Sequence, residues 1–256
     1  MTGDLVSVRV LAISDSAAER ELWRRAAGQI AVPIDIIEVE DVAAACKALA
    51  LSVQDIDVAF LDSELADRAA FIDAARAARQ RPFVILVAAA NGASTELAAP
   101  GIDAVVTKPA TLEQAKAMIG RCVRVRLPSR VLVVDDSATM RSIVRKLLSA
   151  SRFRLEIAEA EDGIQALKQI GTGRFDFVVL DYNMPGLNGV ETLSEIKRQY
   201  PRVGVVIMSS AQHEGVAERA RAAGAAAFLK KPFYASDIDA VLHSVYGLQT
   251  PSPPGA

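Results

Sequence analysis

"RVLVVDDSATMR", residues 130–141, sets three valines and a leucine directly before two adjacent acids, Asp135 and Asp136. A run that is apolar on both faces belongs to a buried parallel strand, so the acids stand where such a strand ends. "RVLAISDSAAER", residues 9–20, repeats the string with Ser14 in the place of Asp135. The agreement continues at an offset of about 120 residues. "DIDVAFLDSEL" (55–65) matches "RFDFVVLDYNM" (174–184), and "RPFVILVAAA" (81–90) matches "RVGVVIMSSA" (202–211). "GIDAVVTKPATLEQ" (101–114) matches "GAAAFLKKPFYASD" (224–237). Four segments in the same order mark a duplicated domain rather than a short solenoid repeat.

Within the second copy, β-branched runs at about 131–135, 154–159, 176–181, 203–209 and 226–230 alternate with amphipathic stretches such as "SATMRSIVRKLLSA". The alternation predicts two α/β domains in tandem, each a doubly wound, five-stranded parallel sheet of flavodoxin-like order with helices on both faces. The first domain is expected over 1–126, a short linker over 127–129, the second domain over 130–248, and a Pro-rich disordered tail over 249–256. Pro128 stiffens the linker, which predicts a limited range of domain orientations.

The composition narrows the function. The apolar fraction of 51% is ample for two cores, and a formal net charge of −2 provides no basic field for nucleic acid. No apolar run reaches the roughly 18–20 residues of a membrane helix. The start "MTGDLVSVRV" has an Arg and an Asp near its apolar run and does not read as a signal peptide. Cys46 and Cys122 lie far apart in apolar segments and read as reduced thiols. The chain is expected to be soluble and cytoplasmic.

In sheets of this kind, ligands bind outside the carboxyl ends of the strands. There the second copy collects Asp135 and Asp136 (first strand), Asp181 (third), Ser209 and Ser210 (fourth), and Lys230 and Lys231 (fifth). Taken singly, each has an ordinary explanation. Asp136 or Ser137 could cap the next helix, and "KP" after a strand is commonly a turn. Together they predict one pocket. A like-charge pair at 4 Å costs about 4 kcal/mol at an effective dielectric of 20. A hard divalent cation such as Mg²⁺ relieves that cost, and a lysine with a hydroxyl can hold the remaining oxygens of a phosphoryl group. One carboxylate can then act as nucleophile and form an acyl phosphate.

"VLVVDDS", "VVLDYNMPGLNG", "VIMSSA" and "FLKKPF" resemble the receiver domain of two-component response regulators, the CheY-like family. The resemblance implies that Asp181 is the phosphoacceptor, charged by the phosphohistidine of a sensor histidine kinase. It implies that Asp136 ligates Mg²⁺ directly, that Asp135 acts through metal-bound water, and that the Asn183 carbonyl is a further ligand. Ser210 takes the switch hydroxyl position. Lys231, directly before Pro232, takes the phosphate-contacting position, and Phe228 falls at the aromatic switch position, where it could equally be an ordinary strand residue. The helix carrying Met140 and Arg141 is the expected kinase-docking element. Pro185 and Gly186 are expected to turn the chain past Asp181, and Gly189 to allow a close approach.

Aligned in the same way, the first copy has a damaged site. Asp15, Asp62 and Lys108 remain, but Ser14 replaces the first acid. "SELADR" replaces the Met-Pro-Gly turn, Ala89 or a neighbouring alanine replaces the switch hydroxyl, and Val105 replaces the aromatic. Asp15, Asp62 and Lys108 could neutralise one another without metal, and Glu64 could join them. Glu19 and Arg20 stand opposite Met140 and Arg141, Trp23 opposite Val144, and Gly92 with Pro100 leave room for only a short fourth helix. The expectation is a pseudo-receiver kept for its surface, fused to a working receiver.

No helix-turn-helix, zinc pattern or "GGDEF" follows residue 247, so output is expected through protein contacts: a downstream protein, a histidine phosphotransfer protein or a homodimer. The alternatives are a phosphorelay intermediate or phosphate sink and, less favoured, a metal-dependent aspartyl phosphatase. Such phosphatases resemble a D-x-D pattern on the first strand, whereas here the acids are adjacent and the nucleophile is expected on the third. "GTGR" (171–174) precedes a strand and cannot present a helix N-terminus to a nucleotide phosphate. Beyond self-phosphorylation and self-dephosphorylation, no enzymatic activity is expected.

Overall fold

The computed structural model describes residues 7–89, 100–210 and 215–251. The chain divides into two compact units, Met1–Arg126 together with Tyr246–Ala256, and Leu127–Val245. The first runs β1 (Val8–Ile13), α1 (Ala17–Ala27), β2 (Ile34–Val39), α2 (Val42–Leu51), β3 (Val58–Asp62), α3 (Arg68–Ala77), β4 (Phe83–Ala88), β5 (Ala104–Thr107) and α4 (Leu112–Arg124). Its strands form an all-parallel sheet in the order β2-β1-β3-β4-β5. The short fourth helix expected around Gly92 falls outside the described residues.

The second unit runs β6 (Ser129–Val134), α5 (Ala138–Ala150), β7 (Leu155–Ala160), α6 (Gly163–Thr172), β8 (Phe177–Asp181), α7 (Gly189–Gln199), β9 (Gly204–Ser209), α8 (Val216–Ala222), β10 (Ala227–Lys230) and α9 (Ala235–Tyr246). Its parallel order is β7-β6-β8-β9-β10. The central strands β3, β4 and β8 are buried along their whole length, as their unbroken apolar runs require. The sheet order reverses beside β6, which opens a crevice at the carboxyl ends of β6 and β8.

Local chemistry starts the helices. Ser16, Asp41 and Thr111 each accept a backbone N–H at the start of α1, α2 and α4. Ser137 caps α5 in the same way, which decides between it and Asp136. Asn188 and Glu191 form a capping box at the start of α7. Both cysteines are free, and burial pushes the Cys122 thiol up to about 12. No helix among the described residues is long and apolar enough to cross a membrane.

The C-terminal segment departs from expectation. The second domain was expected to extend to 248, yet Tyr246 onward groups with the first unit. The disordered tail was expected from 249, yet Gln249 pairs antiparallel with Val105 of β5. The Val105 N–H donates to the Gln249 carbonyl at 3.0 Å, and the Gln249 N–H donates to the Val105 carbonyl at 3.2 Å. Tyr246 and Leu248 are buried, and the Arg124 guanidinium lies 5.7 Å from the Tyr246 ring centroid. The physical reason is that β5 is an edge strand, whose unpaired backbone groups favour any extended segment within reach.

Gln249→Pro removes the Gln249 donor and is expected to destabilise the first unit by about 1 kcal/mol, the net worth of one such bond. Urea unfolding followed by the fluorescence of Trp23, the only tryptophan in the chain, measures this. An unchanged midpoint would show that the tail contributes no stability.

Candidate functional site

Strands β6, β8 and β10 of the second unit deliver Asp135, Asp181 and Lys231 to one place at their carboxyl ends. The Lys231 Nζ donates to Asp135 Oδ2 at 2.8 Å and to Asp181 Oδ1 at 2.7 Å. Both carboxylates are buried, and each uses its other oxygen to fix the loop that follows it. Asp135 Oδ1 accepts the Ser137 N–H at 2.9 Å, and Asp181 Oδ2 accepts the Asn183 N–H at 3.2 Å. Asp136 is exposed at the rim. One ligand oxygen each from Asp135, Asp136 and Asp181 lies within 4.8 Å of the others, the one such trio of potential metal ligands among the described residues. An all-oxygen set with one open side suits a hard divalent cation that keeps part of its water shell.

The electrostatics follow from burial. Desolvation pushes the Asp181 carboxyl above its ordinary value, Asp135 adds to the rise, and the bond from Lys231 opposes it. For Lys231 burial pulls the other way, but its bonds to Asp135 and Asp181 prevail and the ammonium is held above its ordinary value. Lys230 is exposed at the end of β10. Ser210 follows β9 and is exposed, while residues 211–214 lie outside the described residues. Phe228 is partly buried against the core, in register with Ile207.

Two supporting features escaped the sequence reading. Arg141 donates to the Asp135 carbonyl at 2.7 Å and to Glu159 Oε2 at 3.2 Å, tying α5 to the acidic turn. The two bonded arginines hold the Glu159 carboxyl below its ordinary value, Arg145 foremost. The signal was present, since Arg20 in the first copy makes the matching 2.6 Å bond to the Ser14 carbonyl. Gly163 is the other feature: a Cβ there would lie 2.2 Å from Thr192 Oγ1, so α6 and α7 pack at a distance that only glycine allows.

In the first unit the Lys108 Nζ lies 3.0 Å from Asp62 Oδ2, 3.0 Å from Glu64 Oε2 and 2.9 Å from Glu19 Oε1. Asp62, Glu64 and Lys108 therefore meet, but the further carboxylate on the lysine is that of Glu19, which sequence reading had placed on the docking face of its helix, and not that of Asp15, which was expected there. Asp15 is exposed, as is Ala89 after β4. Burial would lower the Lys108 ammonium, but its bonds to Glu19, Glu64 and Asp62 together hold it well above its ordinary value.

Gly189 starts α7 directly against the acidic strand end. A Cβ there would stand 2.3 Å from the Asp181 carbonyl oxygen and 2.7 Å from the Tyr182 Cα. Gly189→Ala is expected to push α7 off the strand end and to destabilise the second unit by about 1–3 kcal/mol. Urea unfolding followed by circular dichroism checks this, and wild-type stability would mean that the loop absorbs the methyl group without cost.

The response regulator receiver domain family matches residues 131–243. The chain is 37% identical over 120 residues to the chemotaxis protein CheY-3 of Vibrio cholerae, covering 46% of this chain and 91% of that protein. It is 34% identical over 109 residues to the chemotaxis protein CheY of Listeria monocytogenes, covering 43% of this chain and 91% of that protein. It is also similar to a solved structure of a probable two-component system response regulator/GGDEF domain protein, at 24% identity and a TM-score of 0.55, covering 94% of this chain and 98% of that one. That likeness is one of fold, and it takes in the first unit, which the family match does not.

Proposed function

The chain belongs to the response regulator receiver-domain family, and on that premise we propose that its second domain accepts a phosphoryl group on Asp181 from the phosphohistidine of a sensor histidine kinase. The observation that carries this reading is the bridging of Asp135 and Asp181 by Lys231 next to the exposed Asp136. In the transfer, the N–P bond of the phosphohistidine breaks as a bond forms from an Asp181 carboxylate oxygen to phosphorus, and the imidazole leaves with the electron pair. Burial makes Asp181 more basic than an ordinary carboxylate, hence a better nucleophile once ionised. Lys231 exchanges its bond to Asp181 for one to a phosphoryl oxygen.

Asp136 and Asp181, with the Asn183 carbonyl and with Asp135 acting through water, would hold Mg²⁺. When bound, the ion supplies positive charge against the phosphoryl oxygens and relieves the repulsion among the acids. Output then passes through protein contacts, a downstream partner or a second copy of the chain. Ser210 turns toward the phosphoryl group, Phe228 follows it inward, and the surface around β10 is reshaped. The first domain is a pseudo-receiver whose Asp62 lacks a matching acid pair.

With acetyl phosphate and Mg²⁺, the intact mass is expected to rise by one phosphoryl group. Asp181→Asn should abolish the gain, and the phosphorylated parent should sediment differently from this variant. Uptake by Asp181→Asn but not by Asp62→Asn would reverse the assignment of the working domain, and identical sedimentation would count against output by self-association.

Asp136→Ala is expected to weaken Mg²⁺ binding more than Asp135→Ala, because it removes a direct ligand rather than one acting through water. Protons compete with the metal for Asp181, whose pKa is raised. Affinity should therefore fall on acidification, and the fall should set in at a higher pH than the roughly 3.9 of an ordinary aspartate would give. Calorimetric titration across pH measures both effects. Equal affinities in the two variants would contradict the assigned ligand roles.

A further inference from the structure

We infer that the first domain carries its own anion: the Glu19 carboxylate, reaching back from α1, occupies the lysine-facing place in the degenerate pocket and closes it to metal and phosphoryl group alike. The inference rests on reading that domain as a degenerate receiver, and it names the residue that closes it. Ser14 keeps one half of what Asp135 does. Its Oγ accepts the Ser16 N–H at 3.2 Å, as Asp135 Oδ1 accepts that of Ser137 at 2.9 Å, so the turn into the helix is the same. The other half, a carboxylate on the lysine, is lost at position 14.

Glu19 supplies it. Its Oε1 takes the Lys108 ammonium at 2.9 Å, and its Oε2 lies 2.9 Å from the Ser14 hydroxyl. That hydroxyl is also 3.1 Å from Asp62 Oδ2, so its one proton is shared between two carboxylates. The charge missing from Ser14 has moved to the first turn of α1. The matching residue of the second domain, Met140, has no polar group with which to do this.

The consequence is a matter of donors. An ammonium has three N–H groups, and Lys108 faces three carboxylates, those of Glu19, Asp62 and Glu64, each within 3.0 Å. None is left for a phosphoryl oxygen. Lys231 spends two on Asp135 and Asp181, which leaves one for an incoming group. Asp62 is buried and its Oδ2 takes both the Ser14 hydroxyl and the Lys108 ammonium, so an entering metal would have to displace a paired group.

Trp23 provides the readout. It lies one turn after Glu19 on α1, fully buried with its ring edge-on to Phe60. In the full chain, with Asp136→Ala present throughout to weaken the second domain's metal binding, Mg²⁺ is titrated while Trp23 emission is followed. The parent should not respond at millimolar Mg²⁺. Ser14→Asp with Glu19→Met, which restores the second domain's residues at both positions, should respond and bind about 10-fold or more tightly than Ser14→Asp alone, the scale of effect a supporting residue has on a metal site. No response from the double variant, or an equal response from Ser14→Asp alone, overturns the inference.

A second arm does not depend on rebuilding a site. Glu19→Gln keeps the shape and removes the charge, and it should lower the urea midpoint read at Trp23, whereas an unchanged midpoint counts against Glu19 as the pocket's anion. Both readouts lie in the first domain, so their failure leaves the assignment of Asp181 untouched, and failure of Asp181 to accept a phosphoryl group leaves them standing.

Discussion

The second domain depends on one buried ionic contact: a lysine ammonium set between two aspartates that the chain brings together across 96 and 50 residues. Two carboxylates at the ends of neighbouring strands would repel across a poorly hydrated gap. Lys231 makes the arrangement tolerable, and only because β10 ends level with β6 and β8. Removing one partner of such a buried pair typically costs about 3–5 kcal/mol, since the other charge is left uncompensated. The parallel sheet is therefore both the scaffold of the site and a condition for its charges to coexist. Burial first, and then the neighbouring Asp135, holds the Asp181 carboxyl above its ordinary value despite Lys231, and a divalent cation would oppose that rise.

Each charged group at the strand ends also serves the backbone, so scaffold and chemistry can separate. Asp135 bonds the Ser137 N–H, Asp181 bonds the Asn183 N–H, and Arg141 bonds the Asp135 carbonyl. The first domain retains all three in kind, through Ser14, Asp62 with the Glu64 N–H, and Arg20. A serine at position 14 satisfies the same turn without its charge. The fold can thus be maintained while the electrostatics change, and both copies keep a five-stranded parallel sheet of the same order.

Much of this was legible in the sequence because the signals were local and periodic. The unbroken apolar runs located the buried strands to within a residue or two, and the acids and lysine at the strand ends included the side chains that meet, Asp135, Asp181 and Lys231. What escaped depended on distance and direction. Glu19 was aligned with Met140 and read as surface, because nothing in a linear comparison shows a side chain turning back toward Lys108. The segment at 249–251 was read by its prolines as disordered, because composition does not register an open sheet edge waiting at Val105. Gly163 was passed over, because a linear sequence does not show that α6 lies too close to Thr192 of α7 for a side chain there.

The number of carboxylates on each lysine separates the two domains more sharply than the identity of any one residue. With two partners, an ammonium still has a donor to offer, and its bonds can be exchanged for bonds to an arriving group of like charge. With three, its donors are all engaged, and an exchange must first break a contact with the exposed Glu64 or with the more buried Glu19 or Asp62. Binding in the first case replaces one satisfied arrangement by another, and in the second it requires breaking one. The same sheet, the same turn and the same lysine thus carry two carboxylate partners in one copy and three in the other.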